Sequence, residues 1–123
     1  MSNNKSKKIL ICDDEEGIRE SLRLILGDHY DLILTDNGEQ CLQCLDNNQN
    51  IGLVLLDIKM PKVNGLEILK AVKEKRPNLD VIIVTGYKSV EAASEASSLG
   101  ASGYIVKPFK SDEILNIVGK TLS

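Results

Sequence analysis

With 123 residues, 42% of them hydrophobic and 27% charged, the chain has the length and composition of one globular domain able to bury a single core. Its 15 basic and 18 acidic side chains leave a net charge of −3, which gives no electrostatic footprint for direct nucleic acid binding or for an anionic membrane surface. No apolar run approaches membrane-spanning length, and only four apolar residues follow the basic lead of Lys5, Lys7 and Lys8, so neither a span nor a signal peptide is expected and the chain reads as cytoplasmic.

Residues 1–6 are expected to form a frayed, disordered lead and residues 7–122 the domain. The first apolar run, KKILIC, is followed by a helix with acids in its first turn, Ile18, Leu22 and Ile25 at helical spacing, and Gly27 as a stop. DLILT (31–35) is the second strand, before a short helix near Gly38 to Leu45. IGLVLLD (51–57) is the third. Its helix starts near Gly65, shows Leu66, Leu69 and Val72 on one face, and closes on Lys73, Lys75 and Arg76 before Pro77. DVIIVT (80–85) precedes a helix that opens at Ser89 and is mostly Ala and Ser, with Val90 and Leu99 as its only large apolar residues. SGYIVK (102–107) leads to a last helix from Ser111 with Ile114, Ile117 and Val118.

Five alternating βα units with nearly continuous apolar third and fourth strands predict an α/β fold, a doubly wound parallel sheet covered by helices on both faces. The three cysteines, an odd number, suit a reducing compartment better than a disulfide framework. Cys41 and Cys44 spell C-x-x-C, but CLQCL reads as the middle of an amphipathic helix, and Cys12 as a small buried hydrophobe.

In open parallel sheets, sites form beyond the carboxyl ends of the strands. Asp13 and Asp14 follow the first strand, Asp57 ends the third, Thr85 the fourth and Lys107 the fifth. Taken singly, the first two read as acids at a helix N-terminus, Asp57 as a turn cap, Thr85 as a strand residue and Lys107 as a solvated side chain. Together they put three carboxylates, a hydroxyl and an ammonium on one rim. Crowded carboxylates need a counter-charge, and oxygen ligands without His or Cys point to Mg2+, with Mn2+ as the alternative. Asp57 is then the candidate nucleophile for a phosphoryl group, with Lys107 and Thr85 balancing its charge. Glu15 and Glu16 read as solvent-facing helix acids and His29 as a turn residue.

ILICDDEEGIRESL, LLDIKMPKVNGLEIL, VIIVTG and GYIVKPF, in this order, resemble the receiver domain of bacterial two-component response regulators over about Lys7 to Leu122. The resemblance implies a flavodoxin-like five-stranded sheet of order 2-1-3-4-5 with five helices. It implies that Asp57 takes phosphate from a histidine kinase or phosphotransfer protein, so that the chain catalyses its own phosphorylation and slow autodephosphorylation. Asp14 would bind Mg2+ directly, Asp13 chiefly through water, and the Lys59 carbonyl would add a ligand. Thr85 and Lys107 would contact the phosphoryl group, Tyr104 would turn inward on activation, and a cis peptide between Lys107 and Pro108 would aim the lysine. Lys59 and Tyr87 stand where the family tunes the lifetime of the phosphorylated state; the opposite reading is two exposed loop residues. Gly86 replaces the family's frequent Ala. The readout face would be the fourth helix, fifth strand and fifth helix, acting on an output partner or domain, with dimerisation through that face left open.

Rival classes fare worse. A dinucleotide site needs a Gly-rich turn where this chain has DDEE, and a haloacid-dehalogenase-type phosphatase needs an Asp at position 59, which is Lys. A phosphorylation-independent interaction module with a degenerate site remains the alternative.

Overall fold

The computed structural model describes residues 7–61 and 63–123, so the lead expected over 1–6 lies outside the described residues. In chain order the elements are β1 (Lys8–Cys12), α1 (Glu16–Leu26), β2 (Asp31–Thr35), α2 (Gly38–Asn47), β3 (Ile51–Leu56), β4 (Lys59–Met60), β5 (Val63–Asn64), α3 (Gly65–Lys75), β6 (Asp80–Thr85), α4 (Val90–Ser98), β7 (Gly103–Val106) and α5 (Ser111–Leu122). Five strands pair in parallel in the order β2-β1-β3-β6-β7, which is the predicted 2-1-3-4-5 once the small β4-β5 hairpin is set aside.

Period-two alternation sends side chains of one strand to two cores. Ile9, Ile11, Leu53, Leu55, Ile82, Val84 and Ile105 pack with Leu22 and Leu26 of α1 and Ile114 and Val118 of α5. Leu10, Cys12, Val54, Leu56, Val81 and Ile83 pack on the other face with α2, α3 and α4. The helices are not equally anchored. α3 buries Ile68, Leu69 and Val72, whereas α4 buries only Ala92 and Ala96, and its Val90 is 87% exposed.

Local chemistry sets the boundaries. Asn37, Asn64 and Ser89 cap α2, α3 and α4 by accepting the N–H of Gln40, Leu66 and Ala92. Gly100, at φ 102°, takes the left-handed turn that ends α4. Gly65 starts α3 where a Cβ would lie 2.2 Å from the Ile58 Cα, so the backbone itself requires glycine there. The two cysteines expected inside the second helix are there: Cys41 is buried and Cys44 half-buried, and all three thiols are free. Among the described residues, no helix is long and apolar enough to cross a membrane.

Candidate functional site: a carboxylate cluster bridged by a lysine

The strand order reverses between β1 and β3, and the site lies at their carboxyl edge. Asp13, Asp57 and Lys107 each sit one residue past a strand end and are pinned to neighbouring strands through the main chain. Asp13 N–H donates to the Thr35 carbonyl at 3.1 Å, Asp57 N–H to Cys12 at 3.0 Å and Lys107 N–H to Thr85 at 2.8 Å. Position is therefore set by the sheet, before any side chain acts.

The Lys107–Pro108 peptide is cis. Lys107 Nζ reaches 2.9 Å from Asp13 Oδ2, 3.2 Å from Asp57 Oδ2 and 2.7 Å from Glu15 Oε1. An ammonium has three N–H donors, so three carboxylates satisfy it. The second oxygens of the buried pair are also engaged: Asp13 Oδ1 accepts Glu15 N–H and Asp57 Oδ1 accepts Lys59 N–H, both at 2.9 Å. With only 2% and 3% of their surfaces exposed, Asp13 and Asp57 depend on these partners for their charge. Burial pushes the Asp13 carboxyl above its ordinary pKa, although the Lys107 hydrogen bond and Glu15 N–H pull it down. Burial alone would lower the Lys107 ammonium; its hydrogen bonds to Asp13 and Glu15 outweigh that and hold it above its ordinary value.

One oxygen each from Asp13, Asp14 and Asp57 come within 4.8 Å of one another, with Asp14 on the exposed side. Cys12, the residue before Asp13, turns into the core towards Cys41 and Thr35 and takes no part in the cluster. A donor set made only of carboxylate oxygens suits a hard divalent cation such as Mg2+, and Lys107 sets a positive charge against two of the three carboxylates.

Thr85 is fully buried at the end of β6, and its Oγ1 accepts Tyr87 N–H at 3.3 Å. The Tyr87 carbonyl in turn accepts the Tyr104 hydroxyl at 2.6 Å. Thr85 and Tyr104 are thus joined through the backbone of Tyr87. Lys59 Nζ lies 5.3 Å from the centroid of the Tyr87 ring, a cation–π contact that joins β4 to the loop after β6. These two residues, with Ile58, Asn64, Leu66 and Ala92, line a cavity of about 340 Å³. A larger cavity of about 770 Å³ opens at the opposite, amino edge around Lys7, Arg76 and Asp80 and holds none of these groups.

The sequence reading missed Glu15. It is the N-cap residue of α1, and its side chain bonds to Lys107, 92 residues away. Its only sequence signal was its place directly after Asp13 and Asp14. Arg19, one turn into α1, donates to the Asp13 carbonyl at 2.8 Å and ties the helix to this loop.

The family model described as "Response regulator receiver domain" matches residues 9–119. The chain is 40% identical over 118 residues to sporulation initiation phosphotransferase F of Bacillus subtilis, covering 95% of this chain and 94% of that protein. It is 34% identical to the DNA-binding transcriptional regulator NtrC of Escherichia coli, covering 94% of this chain but only 24% of that longer protein. In structure it resembles a chain of the CheX-CheY-BeF3-Mg2+ complex from Borrelia burgdorferi, with TM-score 0.89, 28% identity, and coverage of 95% of this chain and 90% of that one.

Proposed function

The chain belongs to the receiver-domain family of response regulators, and from that premise we propose that residues 7–122 form a switch in which Asp57 accepts a phosphoryl group from a histidine kinase or phosphotransfer protein. The observation that carries the reading is the buried Asp57 carboxylate held against Lys107 beside Asp13 and Asp14. The relative named a phosphotransferase and the neighbour whose complex contains BeF3 and Mg2+ support it. The three free thiols fit the reducing cytoplasm in which such a switch would act.

An Asp57 oxygen attacks phosphorus; the new P–O bond forms as the P–N bond to the donor imidazole breaks, and the electron pair stays on that nitrogen, so a ring protonated on its other nitrogen leaves as neutral imidazole. Asp13, Asp14, Asp57 and the Lys59 carbonyl would hold Mg2+, which supplies charge neutralisation for the transferring group when bound. Lys107 exchanges its Asp57 contact for a phosphoryl oxygen. Thr85 turns its hydroxyl proton to another, and because Thr85 Oγ1 holds Tyr87 N–H while the Tyr87 carbonyl holds Tyr104, that movement reaches Tyr104 through the chain.

Readout falls to α4, β7 and α5. With two alanines as its buried anchors, α4 is the helix that shifts at least cost. The recipient is an output partner or domain, and dimerisation through this face belongs to the same reading. Lys59 and Tyr87, in cation–π contact and both lining this cavity, would set how readily water reaches the acyl phosphate.

Intact mass after treatment with acetyl phosphate and Mg2+ tests the proposal. A single phosphoryl adduct is expected in wild type and not in Asp57→Asn; an adduct of equal yield in the variant moves the acceptor elsewhere. No adduct in either protein would favour a phosphorylation-independent module.

A further inference from the structure

Glu15 has no part in the reaction above, yet it makes the shortest of the three contacts to Lys107 Nζ, 2.7 Å against 2.9 and 3.2 Å. The acceptors differ in kind. Asp13 and Asp57 are buried members of the oxygen cluster suited to a cation, whereas Glu15 is 59% exposed and lies outside it. The Lys107 ammonium and a divalent cation therefore compete for the same two carboxylates, because like charges a few ångströms apart in a buried site repel. Glu15 is the partner that Lys107 keeps when the other two are taken. Its backbone is fixed: Glu15 N–H donates to Asp13, and its carbonyl accepts Arg19 N–H at 3.1 Å.

Resting on the reading that Asp13 and Asp57 hold Mg2+, we infer that Glu15 is a positioning residue that retains the Lys107 ammonium at the rim while the cation occupies the carboxylates. The lysine is then neither released to solvent nor left opposing the cation, and stays within reach of a phosphoryl oxygen on Asp57. Because Glu15 is largely exposed, removing its charge should weaken Mg2+ affinity by a modest factor of about two to five.

The test is an NMR titration with Mg2+ at low ionic strength, following the amides of Asp13, Asp14 and Asp57. Wild type is compared with Glu15→Gln, Glu16→Gln, Lys107→Met and the double variant Glu15→Gln/Lys107→Met. Glu15→Gln is expected to weaken binding by that factor and Glu16→Gln, a neighbouring charge that does not touch the lysine, by less. Lys107→Met should tighten binding, and in its background Glu15→Gln should fall to the size of Glu16→Gln. An effect of Glu15→Gln equal in both backgrounds, or equal to that of Glu16→Gln, overturns the inference, since Glu15 would then act on the cation by its own charge. A wild type that does not respond to Mg2+ overturns the metal reading, and this inference with it.

Discussion

Replacing Lys107 by Met keeps an unbranched stem and removes the ammonium that bridges Asp13 and Asp57. Breaking a buried ion pair from one side costs about 3–5 kcal/mol, because the other charge stays buried without compensation. Two features lower that figure here. Each carboxylate keeps one main-chain N–H partner, from Glu15 or Lys59. Proton uptake also sets a ceiling: neutralising a carboxyl of ordinary pKa 3.8 at pH 7 costs about 4 kcal/mol, and less for Asp13, whose pKa is already raised. A loss of about 3 kcal/mol lowers Tm by roughly 12 °C for a domain of this size. The ceiling falls by about 1.4 kcal/mol per pH unit, so at pH 5 the difference from wild type should shrink by about half. Thermal unfolding in EDTA at both pH values measures this, and excess Mg2+ at pH 7 should restore most of the lost Tm. A cation-free variant within about 3 °C of wild type at pH 7 would refute the claim that the lysine compensates buried charge.

Asp13→Asn should act in the opposite direction. A folded pKa above the ordinary one means that ionisation of Asp13 opposes the cation-free fold, its contribution being favourable below pH 3.8 and lost as pH rises through the raised value. The variant should therefore melt higher than wild type at pH 7 in EDTA and gain less from Mg2+, as calorimetry would show. Gly65→Ala drives a Cβ to 2.2 Å from the Ile58 Cα and should cost about 3 kcal/mol or more by urea unfolding. Thr85→Val removes the acceptor of the part-buried Tyr87 N–H and should cost about 0.5–1.5 kcal/mol. In the same variant, beryllofluoride with Mg2+ should shift the Tyr104 and α4 resonances less than in wild type, and full-sized shifts would place the coupling elsewhere.

The main elements were legible because each strand carries its own apolar run and each helix its own boundary residues. IGLVLL became β3 almost to the residue, and Ser89 and Asn64 cap the helices they precede. The β4-β5 hairpin was not legible, because two-residue strands have no periodicity to read. Strand ends also ran one residue long: Asp57 and Lys107 lie just beyond their strands. In the site, residue types at strand ends led to Asp13, Asp14, Asp57 and Lys107, which the fold does bring together. Thr85 was expected on the same rim and is found with its hydroxyl on Tyr87 N–H. The Glu15–Lys107 bond was hidden because it depends on two long side chains meeting across loops 92 residues apart, which no local pattern encodes.

The connection between Thr85 and Tyr104 uses only the amide hydrogen and carbonyl oxygen of residue 87. Every non-proline amino acid supplies those two groups, so on the proposed switch transmission would be indifferent to the identity of that side chain. The ring of Tyr87, 46% exposed and facing Lys59, is therefore released for other work. On the switch proposed above, substitution of that ring would retime the signal while leaving the two main-chain hydrogen bonds beneath it in place, so duration and transmission would be separately adjustable at one position.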